Sequence, residues 1–290
     1  MQEEKKYRMN IAMAADYRVQ EQVEVTLKSI IKHNKRVQFF LINTDYPKEW
    51  FDRINSHLHA FESIIHDKKV IVKGYEQFST YDYITEATFY RYHISEEIRE
   101  DKILYLDADI VVTGNLDPLY NMDITNYALA AVEDVIVACD HKRKEFNAGV
   151  MLINNTVWRQ ENILQKALEL HGDTTISLPD ADQSVLNILF KDKWLAIDEI
   201  FNYQVAAARL DIRHRKEWKK GLVIHYTTSG KPYLPPISVG KKNGLKFLLQ
   251  GRITWLEYFK NKRPLPFAEE WHQVNQLTWK EIEQSYDKEN

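Results

Sequence analysis

The first half of the chain alternates between two hydrophobic periods, and that alternation most limits the folds open to it. Arg8 to Ala15 is a short apolar run, as a strand buried on both faces requires. Val19, Val23, Leu27, Ile30 and Ile31 follow at spacings that fall on one face of a helix. Val37 to Ile42 is a second buried strand, and Pro47 opens the next helical stretch, since a first-turn residue needs no N–H. Ile64 to Val72 has strand character, Thr85 to Ile98 predicts a helix, and Lys102 to Val112 predicts the strongest strand. Strand and helix in turn with short connections specify an α/β fold, a Rossmann-like, mostly parallel central sheet with helices on both faces. Ligands bind such sheets beyond the carboxyl ends of the strands. Asp16 and Asp107-Ala108-Asp109 fall at that edge.

The second half is less regular. Phe146 to Asn154 predicts a strand, Thr156 to His171 a helix, Asp182 to Phe190 a short helix and Leu222 to Tyr226 a last buried strand. Beyond Gly240 the composition shifts: Leu245, Leu248, Leu249, Leu256 and Phe259 stand at helical spacing, and Pro264 and Pro266 precede a final helical segment near Glu269 to Tyr286. The expected division is a main domain over residues 1–240 and a C-terminal helical extension over 241–290.

Composition excludes several classes. A formal net charge of -3 gives no electrostatic case for a nucleic-acid partner, and the basic run Arg213 to Lys220 is short and broken by Glu217 and Trp218. The single cysteine, Cys139, rules out an intramolecular disulfide and a cysteine-based zinc site. Met1 to Lys6 lacks the apolar run of a signal peptide, and no segment approaches the roughly 20 apolar residues of a membrane span. The expectation is a cytoplasmic protein. Trp255, Tyr258 and Phe259 beside Lys260, Lys262 and Arg263 leave two readings open, peripheral contact at the inner face of a membrane or packing on the main domain.

Asp107 and Asp109 follow the apolar run Ile103-Leu104-Tyr105-Leu106. Carboxylates at the mouth of a buried strand are costly unless neutralised, and a divalent cation can be shared by two of them as hard oxygen ligands. Singly, a solvated loop is the ordinary explanation of such a triplet. A dehalogenase-type phosphotransferase also carries Asp-x-Asp after a strand, but normally opens with that strand, whereas here a long stretch precedes it. His225, ending a buried strand, can complete a metal site, and Lys231 after the small-residue loop Thr227 to Gly230 offers a cation suited to a diphosphate. Asn147-Ala148-Gly149 combines an amide with a residue that permits close backbone approach, and Pro179-Asp180-Ala181-Asp182-Gln183-Ser184 reads as a helix start with an acidic residue as N-cap. Each of these has an ordinary structural explanation when taken alone.

Taken in order, Ala14-Ala15-Asp16, Thr88-Phe89-Tyr90-Arg91, Tyr105 to Asp109, Asn147 to Val150, Asp182-Gln183 and His225 to Pro232 resemble family 8 of the retaining glycosyltransferases. That family includes bacterial lipopolysaccharide galactosyl- and glucosyltransferases and glycogenin. The resemblance covers residues from about 8 to about 233, and short motifs in shared order and spacing are far more specific together than singly. It implies a GT-A fold and transfer of galactose or glucose from a UDP-sugar to a glycan, glycolipid or glycoprotein acceptor. It also implies Asp107, Asp109 and His225 as ligands of Mn²⁺ or Mg²⁺. Ala14, Ala15, Asp16 and Tyr17 would meet the nucleotide, with Asp16 on the uracil. Arg91, Ala108, Ser229, Gly230 and Lys231 would contact the donor, Lys231 through its phosphates. Asn147, Ala148, Asp182 and Gln183 would line the donor sugar. The implied catalytic candidates are Gln183, Asp182 and Asp134, the last near the acceptor.

Two positions depart from the family pattern. Val19 replaces a tyrosine that often stacks on the base, leaving Tyr17 as the neighbouring aromatic for that role, and Thr228 replaces a common glycine. Glutamine is a poor nucleophile, so retention is expected through same-face attack rather than a covalent intermediate. A nucleotide-sugar pyrophosphorylase is the rival enzyme, but Ala14 to Arg18 contains no glycine for the phosphate-cradling loop such enzymes use. The rival of another class is a non-catalytic sugar- or nucleotide-binding module, against which the intact Asp107, Asp109, His225 and Lys231 argue.

Overall fold

The computed structural model describes residues 7–72, 75, 78, 85–135, 137–138, 144–205, 221–227, 231–234, 245, 248–249 and 265–289. Its strands in chain order are β1 (Met9–Ala14), β2 (Val37–Asn43), β3 (Ile64–Lys69), β4 (Lys102–Leu106), β5 (Ile110–Val112), β6 (Leu129–Glu133), β7 (Phe146–Asn154), β8 (Trp194–Ala196), β9 (Tyr203–Gln204) and β10 (Val223–His225). Seven form a central sheet in the order β3-β2-β1-β4-β7-β6-β8, and β5-β10-β9 form a small second sheet. From β3 through β4 the pairings are parallel, β7 runs antiparallel to both β4 and β6, and β8 is parallel to β6.

The apolar runs are strands because both faces of the large sheet are covered. Met9, Ile11, Met13, Phe39, Leu41, Leu104 and Leu106 belong to one buried cluster, with Val23, Leu27 and Ile30 of the Gln20–Ile31 helix. Ala12, Phe40, Ile42, Ile103, Tyr105 and Met151 alternate with them and belong to the other. Neighbouring residues on one strand thus feed opposite cores, as the period of two demands.

Several elements differ from expectation for identifiable reasons. The predicted Lys102–Val112 strand is two strands in two sheets. β4 ends at Leu106, the chain turns through Asp107 to Asp109, and β5 pairs antiparallel with β10. Thr26 stabilises that turn from the first helix: its hydroxyl lies 2.8 Å from the Ala108 carbonyl and 2.9 Å from that of Ile110. The Thr85–Ile98 segment is a 3₁₀ helix over Glu86–His93 followed by one α-turn over Ile94–Glu97, with Thr85 accepting from the Ala87 N–H. Phe89 through His93 are all buried, and the tighter helix wedges this aromatic run into the core. The Thr156–His171 helix is broken at Asn162, whose φ of 51° ends Asn155–Gln160 before Ile163–Gly172 begins. Asparagine is among the few residues that accept this left-handed conformation. Pro47 precedes its helix (Lys48–Leu58) at the N-cap instead of lying in the first turn.

The final segment forms two helices, Ala268–Gln276 and Trp279–Glu289. They pack against the first helix and the small sheet. Trp279 and Ile282 join the core beside the first helix, Trp279 Nε1 donates to Glu24 Oε1 at 3.0 Å, and Trp271 and Val274 pack with Val25, Val111 and Ile224. The basic run Arg213 to Lys220, Cys139, Thr228 to Gly230 and Trp255 to Arg263 lie outside the described residues. Among the described residues no helix is long and apolar enough to cross a membrane.

Candidate active site

The topology brings separate chain segments to one edge. β1 ends beside β4, so Ala14-Ala15-Asp16 meets Asp107-Ala108-Asp109. β4 pairs with β7, and the Asp107 N–H donates to the Gly149 carbonyl at 2.9 Å. β10 pairs with β5 in a register that sets His225 opposite Ile110, and the Tyr226 N–H donates to Asp109 O at 3.1 Å. These ends, with the start of the Ala181–Leu189 helix, surround a cavity of about 640 Å³. Ala14, Ala15, Asp16, Arg91, Asp107, Ala108, Asp109, Asp134, Asn147, Ala148, Asp182, Gln183, His225 and Lys231 all line it. Tyr17 does not: its ring lies edge-on to Tyr46 with centroids 5.2 Å apart, and its N–H donates to Asp45, so Val19 and Gln22 form the wall there instead. Ser229 and Gly230 lie outside the described residues.

Arg91 organises the floor. It is 5% exposed and stands between two carboxylates, with Nη2 donating to Asp107 Oδ1 at 2.9 Å and Nε 3.0 Å from Asp182 Oδ2. Nη1 donates to the Ala148 carbonyl at 2.8 Å, and the guanidinium stacks 4.7 Å from the centre of the Tyr105 ring. Burial works against its charge, but Asp107 and Asp182 more than offset that and hold it protonated. Burial raises the Asp182 carboxyl above its ordinary range, against the lowering effect of Arg91 and of the 2.6 Å bond from Thr88. The helix bearing Asp182 begins at Ala181 with φ at 47°, a strained value for a residue with a Cβ. Of the acidic residues at this helix start, Asp180 takes the N-cap position, yet its side chain makes no capping bond; its N–H donates to Ser184 Oγ at 2.9 Å.

The Asp107 and Asp109 carboxylates are each half committed. Asp107 Oδ1 accepts from Arg91 and, at 2.8 Å, from the Tyr105 hydroxyl, while Oδ2 lies 3.7 Å from His225 Nε2. Asp109 Oδ2 accepts from Lys231, whose ammonium also donates to the Tyr226 carbonyl at 2.6 Å. Asp109 Oδ1 is buried, 3.3 Å from His225 Nε2, and has no hydrogen-bond partner. Burial opposes ionisation of Asp109, but the Lys231 ammonium, with the His225 ring beside it, prevails and holds its carboxyl far below the usual range. The three residues each offer one ligand atom, all within 4.8 Å of one another. An orphaned buried oxygen among two carboxylates and an imidazole fits a divalent cation.

The far side of the cavity is a network of amides. Asp134 Oδ2 accepts from Asn147 Nδ2 at 3.0 Å and from Gln183 Nε2 at 3.1 Å, and Gln183 Oε1 accepts from the Ala148 N–H at 3.1 Å. Asp16, at the opposite end, is held by Arg18 and by Thr85 Oγ1 at 3.0 Å; burial raises its pKa, but these bonds carry it below the usual carboxylate value. Gly149 cannot carry a side chain: a Cβ would lie 2.1 Å from His225 Cε1 and 2.7 Å from Asp107 Oδ2. The close approach read from Asn-Ala-Gly is therefore to the candidate metal ligands. Gln204 and Tyr233 also line the cavity, and Asn202 bonds to His225; none of the three lies in a motif recognised from the sequence.

This mostly parallel sheet, with two half-satisfied aspartates and a histidine at its edge, has the GT-A architecture of the solved glycosyltransferases it superposes on. The family model for glycosyl transferase family 8 matches residues 10–235, and the chain belongs to that family. It is 40% identical over 225 residues to glycosyltransferase GlyA of Streptococcus pneumoniae, an alignment covering 77% of this chain and 32% of GlyA. With GlyF of the same organism it shares 33% identity over 232 residues, 78% of this chain and 57% of that protein. The chain thus spans between about a third and three fifths of the length of these curated pneumococcal relatives. The apo crystal structure of S. pneumoniae GlyE superposes with a TM-score of 0.77 at 28% identity over 97% of this chain and 64% of that one. The galactosyltransferase LgtC, solved with donor and acceptor sugar analogs, shares the fold at a TM-score of 0.70 and 24% identity, over 92% of this chain and 100% of that one.

Proposed function

We propose that the chain is a retaining hexosyltransferase that moves galactose or glucose from its UDP derivative to a glycan, on a free saccharide, lipid or protein, with Mn²⁺ as cofactor. The observation that carries this reading is the convergence of spare lone pairs on Asp107, Asp109 and His225 beside Lys231. Those three residues would hold a divalent cation, which would supply positive charge against the leaving diphosphate. Lys231 adds a second positive charge on the same side and can turn from Asp109 to a phosphate oxygen. Asp16, with its donors from Arg18 and Thr85, is the candidate partner for the base. Asn147, Asp182 and Gln183 are the candidate contacts to the sugar.

Retention is assigned to attack on the face from which UDP departs. The bond from the anomeric carbon to the phosphate oxygen breaks as the acceptor oxygen bonds to that carbon, and the departing phosphate takes the acceptor's proton. Supporting this, neither nearby carboxylate is poised as a nucleophile. Asp134 Oδ2 is covered by two amide donors, and Asp182 is held between Arg91 and Thr88. Gln183 is fixed at both ends of its amide and serves to orient, not to attack. Trapping a sugar covalently on Asp134 or Asp182 would falsify same-face attack.

The deciding experiment is calorimetric titration with UDP, first with Mn²⁺ and then with excess chelator. Metal-dependent binding is expected, followed by slow hydrolysis of UDP-galactose or UDP-glucose without acceptor. Absence of UDP binding under both conditions sinks the proposal at its nucleotide.

A further inference from the structure

We infer that Asn202 is a positioning residue for the metal site, fixing the ring and tautomer of His225 so that Nε2 is the atom presented to the cation. Asn202 is 1% exposed and lies just before β9, which runs parallel beside β10. Its Oδ1 is 3.0 Å from His225 Nδ1 and its Nδ2 is 2.9 Å from Asn147 Oδ1. The inference rests on the proposed metal-dependent reading for its consequence, though not for its geometry.

The proton positions follow from one backbone group. The Gly149 N–H can only donate, and its partner at 3.1 Å is an atom of the Asn147 amide, which must therefore be the oxygen. The other end of that amide is then the nitrogen, consistent with its bond to the Asp134 carboxylate. Because Asn147 presents oxygen to Asn202, Asn202 must present its nitrogen in return. Its own oxygen is then left to face His225 Nδ1. An oxygen acceptor requires that Nδ1 carry the hydrogen, so the neutral ring has its lone pair on Nε2. That is the nitrogen 3.3 Å from Asp109 Oδ1 and 3.7 Å from Asp107 Oδ2. The same chain of amides joins the metal side of the cavity to Asp134 and Gln183. A ligating histidine whose other nitrogen donates to a fixed acceptor is both oriented and made more basic.

The test compares Asn202→Ala and Asn202→Asp with wild type by Mn²⁺ affinity, read from electron paramagnetic resonance, and by ¹⁵N-histidine NMR of the metal-free protein. Thermal unfolding reports whether each variant folds. In N202A the Mn²⁺ affinity is expected to fall about tenfold or more, and the Nδ1–H signature of His225 should be lost. N202D retains an acceptor for Nδ1–H but loses the donor to Asn147 Oδ1, so it should keep the tautomer and lose less Mn²⁺ affinity than N202A. A folded N202A that binds Mn²⁺ like wild type overturns the inference, as does a folded N202D that loses the Nδ1–H signature of His225. Wild-type protein whose His225 carries its proton on Nε2 alone overturns it without any variant. If wild type binds no Mn²⁺, the metal-dependent reading fails, while the NMR comparison still decides the role of Asn202.

Discussion

The sharpest perturbation available is a single methyl group, Gly149→Ala. The added Cβ would stand 2.1 Å from His225 Cε1, 2.9 Å from His225 Nδ1 and 2.7 Å from Asp107 Oδ2. Carbon atoms in contact prefer about 3.5 Å, so the ring must retreat by roughly 1.4 Å or the strand must move. The strand is poorly placed to move. β7 is paired on both sides, Val150 lies opposite Leu106, and the Gly149 carbonyl accepts from the Asp107 N–H. The ring is held by Asn202 and by its place at the end of the central strand of the small sheet. Whatever gives way, His225 and Asp107 cannot both keep their positions.

Overpacking of this kind costs about 1–3 kcal/mol of stability, which a domain this size can absorb. A metal site tolerates ligand shifts of only about 0.2 Å, and a misplacement near 1 Å at an active site costs about a hundredfold in rate. Folding should therefore survive while metal binding does not. G149A is expected to unfold cooperatively a few degrees below wild type, to lose most of its Mn²⁺ affinity by electron paramagnetic resonance, and to turn over UDP-sugar at least about a hundredfold more slowly. A folded G149A with wild-type Mn²⁺ affinity would refute the assignment of His225 and Asp107 as ligands.

Asp109→Asn should abolish turnover with the fold intact, because a carboxamide is a poor ligand for the cation; wild-type activity in that variant would remove the metal assignment. Arg91→Leu leaves Asp107 and Asp182 without their shared buried counter-charge and is expected to cost about 3–5 kcal/mol, measurable by urea unfolding. A loss near zero would show that the pair contributes little. Burial holds His93 and His171 well below the usual imidazole range, to about 4 for each. Since the unfolded chain then binds more protons between 6.5 and that value, stability is intact at neutral pH and is lost as pH falls toward 4. Melting temperatures measured over that range should fall less steeply in the His93→Gln, His171→Gln double variant, and equal slopes would contradict the reasoning.

Much of the fold was legible because β1, β2, β4 and β7 are buried on both faces and so are written as mostly apolar runs. What escaped was short or broken by local chemistry. β6 is a run of small residues, Leu129-Ala130-Ala131-Val132, whose strand character depends on its neighbours β7 and β8 and not on propensity. β8 and β9 are too short to show a period. The break at Leu277 did leave a signal. Thr278 and Glu281 form a reciprocal capping box, with Thr278 N–H donating to Glu281 at 2.8 Å and Glu281 N–H to Thr278 Oγ1 at 3.2 Å. Asn202 left none, since one asparagine between a 3₁₀ turn and a two-residue strand has no sequence pattern to mark it.

The Asp-x-Asp triplet illustrates what a motif does and does not contain. Adjacency in sequence brings Asp107 and Asp109 to one turn, but it leaves four equivalent oxygens, any of which could be solvated or paired. The division of labour among them comes from elsewhere. Arg91 and Tyr105 occupy one oxygen of Asp107, Lys231 occupies one of Asp109, and the antiparallel register of β10 brings an imidazole to the remaining two. Gly149 leaves room for that imidazole, and Asn202 orients it. A triplet without Arg91 would expose two carboxylates to mutual repulsion at a strand end, and the cheapest relief would be solvation or protonation. A triplet without Gly149 would have no space for its histidine. The carboxylates become a candidate metal site because five residues from other segments each remove one alternative, which is why the motif acquires meaning only in company.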